Sequence, residues 1–102
     1  MREHPKVLKN EGISEARYGE LQAICRQYDQ YLSGYGGQRG QQRAKLIKAT
    51  AQAVARDDWP VMLEWVTRGC TFTELSEQPA CPMNVFVRER LAFFILLHEE
   101  II

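Results

Sequence analysis

The sequence lacks the features that define several classes of protein. Its three cysteines are odd in number and show no Cys-x-x-Cys spacing, so no disulfide framework is expected. Its two histidines, His4 and His98, lie far apart without matching ligands nearby, so we expect no metal ion and no cofactor. The longest apolar run, residues 91–97, is far shorter than the roughly 20 residues that cross a bilayer.

Signals for secretion and for catalysis are also missing. Residues 1–12 lack the apolar core of a signal peptide, so a cytoplasmic protein is expected. Asp57 and Asp58 are better interpreted as a helix cap than as a catalytic pair. The glycine-rich stretch 34–40 lacks the Lys-Ser/Thr ending of a phosphate loop. Cys81 could gain thiolate character at a helix N-terminus, but no His–acid partner is apparent, so we expect no enzyme.

The charge of the chain is balanced in sum and uneven in distribution. Of 102 residues, 45% are apolar, enough for one domain with its own core, and the formal net charge is zero. Residues 30–56 nevertheless hold five bases and no acid, whereas residues 57–102 hold three bases and eight acids. The sequence therefore combines a basic middle with an acidic C-terminal half.

The spacing of apolar residues predicts an all-α domain of four or five helices. The predicted segments are a loose arm over 1–12, a helix over 14–33, a glycine-rich loop over 34–40, a helix over 41–56 and a helix-turn-helix-like part over 58–97. Ser14 stands at an N-cap position. The predicted buried stripe of the first helix holds Tyr18, Leu21, Ile24 or Cys25, Tyr28 and Leu32; that of the second holds Ala44, Ile47, Thr50 or Ala51, and Val54.

The C-terminal part has the order of a helix-turn-helix unit. Asp57 or Asp58 would cap its first helix, which ends at Gly69. A short helix would open at Thr71 or Thr73, and the last helix would run from about Pro82 to residue 99. The predicted core face of the last helix holds Met83, Phe86, Val87, Leu91, Phe94 and Leu97.

If this unit binds DNA, the start of the last helix would enter the major groove. Asn84 and Arg88 would face outward one turn apart, and asparagine suits adenine as arginine suits guanine. Arg90 would contact phosphate or pair with Glu89 or Glu64. Further phosphate contacts would come from Arg39, Arg43, Lys45 and Lys48. A plain helical corner in a small bundle would give the same pattern, and that alternative stays open.

Three segments of the chain carry a resemblance to a known family. They are Arg17-Tyr18-Gly19-Glu20-Leu21-Gln22 with Cys25 and Gln27-Tyr28-Asp29, then Val66-Thr67-Arg68-Gly69 with Thr71-Phe72-Thr73-Glu74-Leu75, then Pro79-Ala80-Cys81 with Phe86, Arg88, Arg90 and Phe93-Phe94. In this order they resemble a family of small proteins encoded in phages and prophages of Gram-positive bacteria. The C-terminal half of that family is similar to the helix-turn-helix of phage late-gene activators and of region 4 of sigma factors.

The resemblance implies a phage-type transcriptional regulator that binds double-stranded DNA. Pro82-Met83-Asn84 stand where the family has a basic pair, so a dimer or a partner would have to supply the missing charge. The alternative is a helical interaction protein that does not bind DNA. Residues 91–97 are apolar all round, so Phe93, Ile95, Leu96, Ile101 and Ile102 would be covered either by the domain's own core or by the seam of a homodimer.

Overall fold

A computed structural model describes residues 12–101 of the chain. Within that range the protein is all-α, with five α-helices, two 3-10 turns and no strand, so the predicted fold class is confirmed. The helices are α1 (Glu15–Arg26), α2 (Tyr28–Leu32), α3 (Gly37–Ala55), α4 (Trp59–Arg68) and α5 (Met83–Glu100), and the 3-10 turns are Arg56–Asp58 and Phe72–Glu74. The predicted arm lies outside the described residues, apart from its last residue.

The single helix predicted over 14–33 is wrong, because the helix breaks at Gln27. Ser14 caps α1 as expected, its Oγ accepting a hydrogen bond from the Arg17 amide at 3.0 Å. At Gln27 the amide bonds to a carbonyl three residues back, and the chain turns into α2. The turn buries Tyr31 and leaves Leu32, which the stripe placed in the core, 63% exposed.

The loop predicted over 34–40 is also too long, since α3 begins at Gly37 rather than at residue 41. Gly36, with φ of 77°, stands at the N-cap, and the glycines that follow enter the helix. Gly40 is buried, and a Cβ there would collide with the carbonyl oxygen of Tyr35 and press on the Tyr31 ring. Gly40 therefore permits close packing of α2 on α3, which propensity alone does not predict.

The long helix α3 is central and contacts α2, α4 and α5. Its buried stripe includes the predicted Ala44, Ile47, Thr50 and Ala51, so the helix period is confirmed. Asp58 stands at the N-cap of α4, but its carboxylate makes no capping hydrogen bond there. Gly69 ends α4 in the left-handed conformation with φ of 66°, as predicted.

The short helix predicted near Thr71 is a single 3-10 turn. Thr71 and Glu74 form a capping box around it, with the Glu74 carboxylate accepting from the Thr71 amide at 2.8 Å. Residues 75–82 then follow without helix up to α5. The predicted order of three helical segments is therefore present, but its middle segment is too short to pack as an α-helix.

The last helix lies in the protein's own core. Phe86, Leu91, Phe94 and Leu97 are buried as predicted, and Phe93 and Ile101 join them. The Phe86 ring stacks on the Trp65 ring of α4, with centroids 5.3 Å apart and planes 6° apart. Met83, predicted for the core face, is exposed because it lies in the first turn of the helix, outside the packed region.

Candidate nucleic-acid interface

Asn84 and Arg88 lie side by side on the exposed face of α5. Both are exposed, and residues four apart share one side of an α-helix. The opposite side is fixed, because Phe86 is fully buried against Trp65. The helix therefore holds the two polar side chains outward on a rigid support, as the prediction required.

Two carboxylates hold the segment that leads into α5. Asp58 accepts hydrogen bonds from the amides of Ala80 at 2.9 Å and Cys81 at 3.2 Å. The Ala80 amide, more than any other group, lowers the pKa of Asp58 below its usual value. Asp58 thus fixes the approach to α5 instead of capping α4, a role that the sequence pattern did not indicate.

Glu64 of α4 also holds the segment that leads into α5, by hydrogen bonds to Ser76. Its carboxylate accepts from the Ser76 hydroxyl at 2.7 Å and from the Ser76 amide at 3.0 Å. The Ser76 hydroxyl is the main cause of the lowered pKa of Glu64. Asp58 and Glu64, two acids of the C-terminal half, therefore anchor the fold. Glu64 forms its ion pair with Arg68, so its predicted pairing with Arg90 is absent.

Arg90 is a core residue, so its predicted contact with phosphate is wrong. The side chain is only 8% exposed, and its guanidinium carbon lies 5.0 Å from the ring centroids of both Trp65 and Phe94. Its Nη1 donates to the Tyr18 hydroxyl at 3.0 Å. Burial lowers the pKa of Arg90 to about 10. The physical reason is position, since Arg90 lies one turn from both Phe86 and Phe94 on the buried face.

The four cations of α3 do not form one patch. Arg39 and Arg43 border a hollow that also contains Glu100 and Ile101, at the end of α5. Lys45 and Lys48 border a different hollow, between α2 and α3. The chain folds so that α5 covers one flank of α3 and α2 the other, and this places the two pairs apart.

The hollow at Arg39 and Arg43 is also remote from the exposed pair on α5. Glu100 and Asn84 are separated by about 24 Å along the helix axis, at about 1.5 Å per residue. The structure therefore brings Asn84 and Arg88 together but leaves Arg39 and Arg43 at the other end of the helix. Arg39, Lys45 and Lys48 are exposed, and Arg43 is half-buried with its Nη1 donating to the Tyr31 hydroxyl at 3.4 Å.

The cations of α3 form no ion pair with a carboxylate of the described residues. Over residues 12–101 the only ion pair within 4.0 Å joins Arg68 and Glu64, at 3.9 Å. Residues 30–56 contain no acid, so the charged side chains that α3 contributes to the protein surface are all positive. A surface of one sign attracts polyanions and is the electrostatic footprint of many nucleic-acid-binding proteins.

The cysteines show no sign of activation. Burial raises the pKa of Cys25 to about 12, and burial together with Asp58 and Glu89 raises that of Cys81 to about 11. The Cys81 Sγ donates to Glu89 Oε1 at 3.7 Å. Burial, and after it the carboxylates of Asp58 and Glu89, therefore oppose the thiolate character that Cys81 could gain at the helix N-terminus. In the described part of the chain, no three His, Cys, Asp or Glu side chains group as metal ligands.

Sequence reasoning missed the groove between α2 and α3 and the exposed aromatic beside it. Tyr35 is 58% exposed, and its ring stacks on that of Tyr31 with centroids 6.1 Å apart. The apolar spacing of the first helix predicts that Leu32 is buried, so it does not indicate an open groove at this residue. The signal that the sequence offers is the set of apolar side chains among the glycines before α3, over residues 31–36.

Comparison with known proteins adds no relationship. No family model, no curated protein and no solved structure matches this chain. The resemblance to the phage family therefore stays a prediction from the motifs. Within residues 12–101, none of the helices combines the length and the apolar character needed to cross a membrane.

Proposed function

We propose that the protein is a cytoplasmic transcriptional regulator of the phage type that binds double-stranded DNA. Asn84 and Arg88 contact base edges in the major groove. The observation that carries the proposal is their exposure on one face of α5, whose opposite face is held in the core. Amide and guanidinium groups on a rigid helix can form paired hydrogen bonds to adenine and guanine.

The α3 cations supply the attraction to the phosphate backbone. Lys45 and Lys48 are exposed, and neither is neutralised by a carboxylate of the described residues. Arg39 and Arg43 form a separate positive pair on the other flank of α3, where Glu100 also borders their hollow. Charge of this kind gives affinity that falls with salt and carries no sequence information by itself. Arg90 has no part in binding, since it is buried.

The test is selection of random duplex DNA, followed by titration of the enriched site. We expect an enriched motif whose affinity drops steeply between about 50 mM and about 200 mM salt. Arg88→Ala should weaken binding to that motif by about 1–3 kcal/mol, because a paired hydrogen bond to a base is lost.

Arg68→Ala is the matched control for that variant. It removes the same charge from an exposed position at the end of α4, where the arginine pairs only with Glu64. Its affinity should stay within about twofold of the parent, since Arg68 lies on α4 and is not one of the proposed base or phosphate contacts. Equal losses in Arg88→Ala and Arg68→Ala would contradict base contact by Arg88.

A second candidate function is homodimerisation through α5. The exposed face of this helix carries Val85, which is 36% exposed, and Ala92, with Ile95 and Leu96 half-buried. Of the apolar residues that either the core or a seam would cover, Phe93 and Ile101 are buried in the domain itself and take no part in this seam. Ile102 lies outside the described residues. Asn84 and Arg88 lie on the same exposed face, so this dimer is an alternative to base contact by that pair.

The dimer is tested by the mass in solution. If α5 forms the seam, Ala92→Arg should convert a dimer to a monomer, because a charge would be buried between two helices. Ala49→Arg is the control, since Ala49 is an exposed alanine within α3 and lies outside the proposed seam. A parent protein that is monomeric at all concentrations, by light scattering, removes this candidate and leaves DNA binding untouched.

A further inference from the structure

An open groove lies between α2 and α3, on the side of α3 away from Arg39 and Arg43. Its volume is about 330 Å³, within the range of small-molecule sites. Its lining combines the apolar and aromatic side chains of Tyr28, Leu32 and Ala44 with the polar ones of Gln41, Lys45 and Lys48. The groove thus places an apolar surface beside two positive charges.

The apolar surface continues outside the groove and faces water. Leu32 is 63% exposed, and Tyr35 presents its ring beyond the stacked ring of Tyr31. Large apolar side chains that remain exposed next to cations are a common feature of binding surfaces. A flat ring placed here would cover Leu32 and part of Tyr28.

The charged residues that line the groove are both lysines, Lys45 and Lys48. Lys45 and Lys48 are three residues apart, which is about 4.5 Å along the helix axis. The Lys48 Nζ lies 5.4 Å from the centroid of the Trp59 ring, and this contact limits where the ammonium can go. Among residues 12–101 no carboxylate lines the groove. Asp29 borders a separate hollow with Ser33 and Tyr35, although, after burial, its charge also raises the pKa of the groove residue Tyr28. The lining therefore matches an anion that carries a flat apolar body.

We infer that this groove binds one unpaired nucleotide of a nucleic-acid strand, with the base against Tyr28 and Leu32 and the phosphate at Lys45 and Lys48. The inference rests on the proposed function, in that the partner is a nucleic acid. Aromatic side chains for bases and cations for the backbone are the combination that single-strand sites share. A paired base is stacked inside its duplex, so this site is distinct from that of Asn84 and Arg88.

The probe is a fluorescently labelled thymidine oligonucleotide of about eight nucleotides, within the site size of known single-strand modules. Binding is measured by anisotropy over a range of salt concentrations. One neutralised phosphate predicts a slope of about −0.7 in a plot of log affinity against log salt. Free thymidine monophosphate, used as a competitor, distinguishes a strand from a free nucleotide.

Two neighbouring glutamines provide matched variants. Gln41→Glu places a carboxylate in the groove, one turn before Lys45, and should weaken the strand about tenfold. Gln42→Glu makes the same change on the other flank, beside Arg39 and Arg43, and should weaken it less than about twofold. Both residues are exposed, so both variants should fold, which circular dichroism checks.

Three results would overturn the inference. Equal weakening by Gln41→Glu and Gln42→Glu would show a general attraction to α3 rather than a groove site. A folded protein that does not bind the strand has no such site. Thymidine monophosphate that competes as strongly as the strand would assign the groove to a free nucleotide. Duplex binding is tested separately with Arg88→Ala, so failure of either proposal is recognised without the other.

Discussion

Arg90→Ala tests whether a buried arginine contributes to the core, as its contacts indicate. The variant removes two ring contacts at 5.0 Å and the hydrogen bond to the Tyr18 hydroxyl. A desolvated cation–π contact is worth about 2 kcal/mol, and a hydrogen bond to a charged group about 1.5–3 kcal/mol. The cost of burying the guanidinium offsets part of this sum. We therefore expect a net loss of about 3 kcal/mol.

A loss of this size is large for the domain. Proteins of this length have a free energy of unfolding of about 5–15 kcal/mol, and about 3 kcal/mol lowers the melting temperature by roughly 12 °C. Urea denaturation followed by tryptophan fluorescence measures the change, because Trp65 lies against the substituted side chain.

Arg88→Ala is the control, two residues away on the exposed face of α5. Its effect on stability should stay within about 0.5 kcal/mol, as for most surface substitutions. Arg90→Met should lie between the two, since methionine restores packing without the charge. If Arg90→Ala and Arg88→Ala unfold at the same urea concentration, the core assignment of Arg90 is wrong.

Three further predictions concern packing, acid and thiol chemistry. Gly40→Ala should destabilise the protein by about 1–3 kcal/mol, because its Cβ would meet backbone, whereas Gly19→Ala in α1 meets nothing within 4 Å and should stabilise by about 0.5–1 kcal/mol. The pKa values of Asp58 and Glu64 are lowered below their ordinary values of 3.8 and 4.5, so both carboxylates contribute fully to stability when the pH is above those values. The stability measured in urea should therefore fall as the pH drops through that range and below. Asp58→Asn together with Glu64→Gln should flatten that decline, and an unchanged decline would contradict the two anchors. Cys81, with its pKa raised to about 11, should react with a disulfide reagent at about pH 8 far more slowly than free cysteine, and equal rates would contradict its environment.

Local signals in the sequence predicted the ends of several helices. Ser14 offers a side-chain acceptor to the first turn, Gly69 adopts a left-handed conformation at low cost, and Pro82 leads into α5. These rules act over a few residues, so they need no knowledge of the tertiary structure. They do not extend to Gly40, whose low helix propensity is outweighed by the close approach of the Tyr31 ring and the Tyr35 carbonyl.

The site was only partly predictable, because one side chain can serve the surface or the core. Arg88 and Arg90 have the same side chain, and only their positions relative to Phe86 and Phe94 decide that one is exposed and the other buried. That spacing is visible in the sequence, so the buried place of Arg90 could have been inferred. The separation of the α3 cations could not, since it depends on which flank α2 and α5 cover.

The approach to α5 shows a similar limit. Asp58 looks like a helix cap in sequence, yet its carboxylate accepts from Ala80 and Cys81, more than 20 residues further along the chain. Contacts over such separations depend on the packing of α4 and leave no local pattern. Acidic residues that sequence reasoning counts as surface charge therefore act here as anchors of the fold.

Contact between α5 and DNA is tested by mapping amide chemical shifts while a selected DNA duplex is titrated into the protein. We expect the largest changes in the first two turns of α5, around Asn84 and Arg88, with smaller ones at Lys45 and Lys48. We expect little change around buried Arg90 beyond that of its neighbours. Saturable duplex binding that leaves the first two turns of α5 unshifted would contradict base contact by this helix.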